Sequence, residues 1–506
     1  MKILSLFAPL LLASGLCCAS EELVRALESE DVERAVSLID AGVDVNAAAS
    51  DGTTALHWAA YYGKADLVGL LISREAKVNV RNDYGSSPMT EAAVRGDHDI
   101  LQLLLEAGAD VESPNLEGQT ALMAVSRTGN LEAAKLLLDH GADVNAAEGW
   151  GGQTALMWAA ARHHPAMMRL LIGAGAEVEQ RAIVRDWERL VTAEPRVKEM
   201  QRGGYTAMLY AAREACLACV EVLLEAGADI NRPTPDNVSP LVLALLNMHY
   251  DLARYLLEHG ADPGQWDYWG RTPLFAAVDL SILPLSARGD LPPMQDTSAV
   301  DVARMLLEAG VDPDFRLKLA PPPRNTPYDR AYDKPFLTTG TTPLLRAAYG
   351  ADLDMMELLL SHGADAALAN KYGFTPMLSL LTTGNTRGRD KTQGNVIKGI
   401  DLLLAAGASL DDVGVVYDFT NSAGFNEIGG YEGESLAHIA TRLEWADVLS
   451  HLVERGADLQ AKDAMGYTPL DYATGEAPIL SAGNFGRLGE LPAMEALIQR
   501  LSSAQE

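Results

Sequence analysis

Two cysteines stand three residues apart in this chain, Cys216 and Cys219, and they are the side chains best placed for covalent chemistry. A C-x-x-C pair at the start of a helix can close into a disulfide without large backbone movement, and an oxidising compartment favours that bond. The helix N-terminus would also lower the pKa of Cys216, which suits thiol–disulfide exchange. A structural disulfide, a reduced packing pair and a redox role are therefore three open readings. Two soft ligands are too few for a metal site. No His follows Cys219, which excludes covalent haem attachment. The chain has no H-E-x-x-H, no Gly-rich phosphate loop and no G-x-S-x-G. No catalytic residue, metal or cofactor is expected.

A second group of residues suits recognition instead. Trp58, Trp158 and Tyr210 recur at one position, four residues after Thr54, Thr154 and Thr206, and Tyr61, Tyr62, Arg162 and Arg213 follow them. Tyr84, Trp150, Trp266, Tyr268 and Trp269 stand in turns. Exposed Trp, Tyr and Arg are the residues from which binding hot spots are built. The helix aromatics can equally pack on a neighbouring segment, whereas Trp150 and the group Trp266, Tyr268 and Trp269 point to a partner surface.

The elements that must position these residues are clearest from Gly204 to Asn231. Thr206 can cap a helix with its hydroxyl, and Ala207–Glu214 forms that helix, with Ala211 and Ala212 small enough for close approach. Leu217–Ala226 forms a second, with Val220, Leu223 and Leu224 on one apolar face. Gly227 is the left-handed stop, and Ala228–Asn231 leads into a turn. Neither helix buries its face alone, so the unit must stack on neighbours. After an opening unit at 21–49, the units open at Thr54, Ser87, Thr120, Thr154, Thr206, Ser239, Thr272, Thr342, Thr375, Ser435 and Thr468, mostly 33 apart. With an N-terminal cap that makes about twelve units.

The period and the wording of these units resemble the ankyrin repeat, with its T-P-L-H-x-A and L-L-x-x-G-A-D-x-N signatures. The resemblance implies an all-α repeat solenoid of helix–turn–helix–β-turn units. It also implies a non-catalytic scaffold that binds a protein or peptide through its concave helices and elongated turns. His57 and His438 fall on the family's turn-bonding His. Ser435-Leu436-Ala437-His438 departs from the usual opening, and Glu75-Ala76 replaces a stop Gly.

The divisions expected are 1–20 as signal peptide, 21–50 as capping repeat, 51–203 and 204–271 as repeats, 272–431 as repeats with long insertions, and 432–506 as final repeats and cap. The stop Gly locates the insertions. Extra residues lengthen turns at about 181–201, 316–339 and 411–431, and helix–helix loops after Thr272 and Thr375. The first, Arg185 to Met200, reads as a short helix stopping at Pro195. The second, with Pro321-Pro322-Pro323, reads as extended. Insertions on one face of a solenoid often mark its binding face, and loops also drift neutrally.

Composition sets the remaining bounds. The chain has 506 residues, 48% hydrophobic content and a formal charge of −29. That charge argues against nucleic acid or an anionic membrane as partner, and suits solubility or a basic partner. Residues 1–20, MKILSLFAPLLLASGLCCAS, read as an export signal: Lys2, an apolar run from Ile3 to Leu16, then small residues to Ala19 or Ser20. Cys17 and Cys18 allow a lipoprotein reading, which Leu16 before Cys17 disfavours. The mature chain is expected to be periplasmic or secreted, monomeric and not membrane-inserted. His140, His259 and His362 are expected at helix C-termini, and His163-His164 in a solvated loop.

Overall fold

The computed structural model describes residues 21–188, 199–282, 295–319, 321, 337–382, 391–414, 433–477 and 489–505. The chain divides into two compact units, one of residues 1–187 and 201–230, the other of 188–200 and 231–506. Each is a stack of helix pairs. An all-α repeat solenoid is the architecture of both.

In the first unit the leading helices of successive repeats are Ala55–Tyr61, Pro88–Arg95, Ala121–Thr128, Ala155–Ala161 and Ala207–Arg213. Each packs on the next. Paired alanines permit this: Ala59 and Ala60, Ala92 and Ala93, Ala159 and Ala160, and Ala211 and Ala212 are fully buried. The trailing helices, Ala65–Ser73, His98–Glu106, Leu131–Asp139, Pro165–Gly173 and Leu217–Glu225, form a second layer. Leu71, Leu104, Leu137, Leu171 and Leu223 are buried beneath it. Residues 21–28 and Val32–Asp40 form the opening helix pair.

The opening residues cap as their chemistry dictates. The Thr206 hydroxyl accepts from the Leu209 N–H at 3.4 Å, which satisfies one of the first-turn donors. Gly227 takes φ +83°, the left-handed backbone that closes a helix, in open space. Dihedral preference rather than crowding therefore selects glycine at this position. Glu75, standing where the first full repeat lacks that Gly, adopts φ +66° regardless.

The second unit repeats this plan, with leading helices Pro240–Leu246, Pro273–Ser281, Pro343–Tyr349, Pro376–Leu380, Leu436–Arg442 and Pro469–Ala473. Its interior holds charge as well as carbon. Arg346 Nε lies 2.6 Å from Asp279 Oδ1, and Arg442 forms a forked pair with Glu434 at 3.2 Å, all four side chains buried. The final helix spans Pro492–Gln505.

The insertion expected as a short helix departs from that reading. Its flanks are strands, Val184–Glu188 and Glu199–Gly203, paired in a two-stranded sheet; residues 189–198 lie outside the described residues. The reason is where the extra residues enter. Ala182 N–H already donates to Tyr205 O at 2.9 Å, and Gly204 N–H to Ile183 O at 3.1 Å. The two ends of the insertion are thus held side by side, and an antiparallel ladder continues that pairing without a new cap. Most of the Pro321–Pro323 loop, most of 411–431 and all of 1–20 lie outside the described residues.

Candidate protein-binding face

The turn before each leading helix forms a finger, and adjacent fingers in the first unit join through backbone bonds. Asp83 N–H donates to Asp51 O at 2.7 Å, Gly149 N–H to Glu117 O at 2.6 Å, and Ile183 N–H to Gly151 O at 2.7 Å. These bonds need no particular side chains. At the tips, Tyr84, Leu116 and Trp150 are 70%, 74% and 72% exposed. Ile183 and Val184 continue this row at the base of the hairpin. The Arg185 guanidinium stacks 4.4 Å from the Trp150 ring centre and donates to Trp150 O.

The ends of the leading helices border the same fingers. The Tyr205 ring in the last finger of this unit lies 5.3 Å from that of Tyr210 on the helix, and Arg213 covers both. Gln153, in the preceding finger, donates to the Tyr210 hydroxyl. Burial raises the Tyr210 pKa above its ordinary value. At the other end of the stack Trp58 lies flat on Tyr62, with ring centres 5.7 Å apart, and Tyr61 meets both edge-on. Tyr62 donates its hydroxyl proton to Glu28 O at 3.0 Å.

Aligned on the opening Thr or Ser, positions seven and eight carry Arg95, Arg127, Arg162 and Arg213 in four consecutive repeats. Arg95 lies over Gly63 of the preceding repeat, and the Arg127 guanidinium stands 5.9 Å from the Trp158 ring centre. Arg213 pairs with Glu214 at 2.7 Å. Among the described residues Arg95, Arg127 and Arg162 have no carboxylate in ion-pair contact. In the second unit the corresponding arginine, Arg442, pairs with the buried Glu434. Arg95 and Arg127 were not among the sequence candidates, because the signal is their register in the repeat and not any local motif.

The other expected residues sort by exposure. Tyr61, Arg162, Trp150, Trp266 and Tyr268 are exposed, and Trp58, Tyr62, Trp158 and Arg213 are half-buried. Trp269 and Tyr210 are buried; the expectation of a surface residue is corrected for Trp269, while Tyr210 packs, as was open for the helix aromatics. Trp269 is held down because its carbonyl accepts from Lys318 and Leu319 N–H, while Arg271 covers its ring at 5.0 Å. Arg271 in turn is buried against Asp267 at 2.6 Å. Burial pushes the Asp267 carboxyl above its usual range, the nearby guanidinium opposing it.

The cysteines are joined in a disulfide, with Cys219 wholly buried and Cys216 nearly so. Thiol–disulfide exchange needs a thiolate to reach a sulfur, and burial obstructs that approach. His57 acts as a turn brace: its Nδ1 accepts from Thr54 N–H at 3.2 Å and its Nε2 donates to Ser86 O at 3.0 Å. His438 repeats the arrangement with Ser435 and Tyr467. His140, His259 and His362 bond carbonyls of their helix ends. His164 corrects the solvated-loop reading, since its Nε2 donates to Arg127 O of the preceding repeat at 3.1 Å. Among the described residues no cluster of three metal-ligating side chains occurs, and no helix is long and apolar enough to cross a membrane.

Comparison with known proteins agrees with this architecture. Family models described as ankyrin repeats match residues 23–115 and 111–182 in three-copy form, 241–279 in many-copy form, and 203–235 and 339–371 as single repeats. The chain is 26% identical over 220 residues to the ankyrin repeat protein YahD of Escherichia coli (strain K12), covering 42% of this chain and 85% of that protein. It is 30% identical over 135 residues to the B-cell lymphoma 3 protein homolog of Mus musculus, covering 26% of this chain and 27% of that protein. With three ankyrin models matching along its length and the repeat geometry throughout both units, the chain belongs to the ankyrin-repeat family.

Proposed function

We propose that this protein is a non-catalytic interaction scaffold whose first unit grips a protein or peptide between its fingers and its leading helices. One observation carries the reading. Among the described residues, the exposed large apolar side chains, Leu131 and Leu217 apart, lie on turns, on the hairpin or at the ends of leading helices. Apolar side chains gathered on one working edge, rather than scattered, are what a partner surface requires. Ankyrin repeats generally mediate protein–protein contact, which supports the same reading.

The test is site-specific photocrosslinking. A benzophenone side chain replacing Tyr84 or Trp150 should yield discrete crosslinked proteins, while the same group at Glu132 on a trailing helix should yield none. Equal crosslinking at both faces would remove the assignment of the working edge.

We also propose export to the periplasm or cell exterior, on the strength of the apolar run from Ile3 to Leu16 after Lys2. The Cys216–Cys219 disulfide supports it, being a bond that persists in an oxidising compartment. Mass spectrometry of the natural protein should find a mature N-terminus at or near Glu21, and an intact Met1 would refute it.

A further inference from the structure

We infer that the partner of the first unit is an acidic, apolar-rich peptide segment, held by the arginine row at the helix ends and by the apolar row on the fingers. This inference rests on the reading of that face as a protein-binding surface and adds the chemistry of what it binds.

The chain carries 69 acidic against 40 basic residues, so a random surface strip should be acidic. Yet Arg95, Arg127, Arg162 and Arg213 occupy the same end of four stacked helices. A cation at a helix C-terminus is favoured by the helix dipole, and that alone could place an arginine there. It does not account for the difference between the units. Where the second unit has an arginine at this register, Arg442, the guanidinium is neutralised by the buried Glu434. In the first unit Arg95 and Arg162 are exposed and Arg127 half-buried, and all three lack a carboxylate partner among the described residues. Successive repeats thus present guanidinium groups whose hydrogen-bonding forks suit carboxylates.

The neighbouring carboxylates do not cancel this row. Glu148 is buried and accepts from the N–H groups of Trp150, Gly151 and Gln153. Asp51 is tied to Thr53 through both its oxygens. Asp83 and Glu117 stand on the finger tips and not on the helix ends. Tyr84, Leu116 and Trp150 supply the apolar companion strip, and Arg185 adds a further cation beside Trp150. A basic segment would meet this row with like charge, and an uncharged one would leave the guanidinium groups unused. An acidic segment with interspersed aliphatic or aromatic side chains meets the arginine row with its carboxylates and the fingers with its apolar side chains.

The test uses the full mature chain and a random peptide pool displayed on phage. It has three arms: the wild type, a variant with Arg95→Gln, Arg127→Gln and Arg162→Gln, and a variant with Tyr84→Ala, Leu116→Ala and Trp150→Ala. All changed side chains are exposed or half-buried, and circular dichroism checks that folding is intact. Peptides enriched on the wild type should carry more Asp and Glu than the input. Their affinity, read by fluorescence anisotropy of synthetic copies, should fall about tenfold for each arginine engaged, since one charge-assisted bond is worth roughly a factor of ten. Enrichment without acidic bias, or acidic peptides that bind the arginine variant as well as the wild type, would overturn the inference while leaving the binding face standing. Enriched peptides that bind the finger variant unchanged would overturn the reading of the face itself, and so would a pool from which nothing is enriched; the inference then goes with it.

Discussion

Asp279 and Arg346 stand 67 residues apart in sequence and meet at 2.6 Å inside the second unit, their side chains 8% and 2% exposed. They link two leading helices across the longest interruption in the repeat rhythm. Removing the carboxylate alone takes a counter-charge away from a buried guanidinium. Asp279→Ala should therefore destabilise the second unit by about 3–5 kcal/mol, while the double change Asp279→Leu, Arg346→Met should recover most of the loss. Urea unfolding followed by circular dichroism checks both, and equal midpoints for wild type and single variant would refute the pair's importance.

The imidazoles of His57 and His438 make the protein acid-sensitive. Burial lowers both pKa values below the ordinary 6.5. The neutral ring is required, because Nδ1 must accept from the backbone N–H at the helix start. The unfolded chain binds the proton more readily than the folded one, so stability falls as pH drops through the unfolded value near 6.5 and levels off below the folded value. Replacing both with Gln should cost about 1 kcal/mol per cap at neutral pH. It should also flatten the loss on acidification, as thermal melts at successive pH values would show.

Lys391 works in the same sense as the two histidines, but at higher pH. Desolvation lowers its pKa from 10.5 to about 7, while Nζ donates to Ser379 O at 3.2 Å and Thr382 O at 2.9 Å. The folded state resists the charge, so this residue's penalty is full below pH 7 and fades as pH rises toward 10.5. Lys391→Met should accordingly stabilise the second unit most below pH 7, with the advantage shrinking above it. Isotope-edited NMR titration of the amine would check the cause directly.

Around the turn at Trp266 the residues separate into display and support. Trp266→Ala and Tyr268→Ala should change stability by no more than about 0.5 kcal/mol. Trp269→Ala should cost about 3–5 kcal/mol, because it empties a packed site above the Asp267–Arg271 pair. Differential scanning calorimetry of the three single variants distinguishes them, and a mild effect at Trp269 would contradict the packing described.

Local rules made much of this fold legible. The hydroxyls of Thr206 and its equivalents, the paired alanines and Gly227 each act over a few residues, and repetition multiplies their signal. The hairpin flanking 189–198 was missed because its strand character comes from the Ala182–Tyr205 and Gly204–Ile183 pairings, a constraint on ends and not a propensity of the middle. Trp269 looked like a surface aromatic because nothing nearby in sequence shows Lys318 and Leu319 bonding to its carbonyl. The candidate face was half visible: its aromatics were conspicuous, whereas Arg95 and Arg127 are unremarkable until the repeats are overlaid.

The backbone bonds between fingers, Asp51 to Asp83, Glu117 to Gly149 and Gly151 to Ile183, separate the support of the tips from what the tips display. Main-chain atoms set the spacing at these three junctions, so the side chains of Tyr84 and Trp150, which take no part in those bonds, can change without breaking them. New specificities can therefore arise by substitution at the tips alone, each change tried on a frame that does not have to be rebuilt. A surface so organised is cheap to diversify.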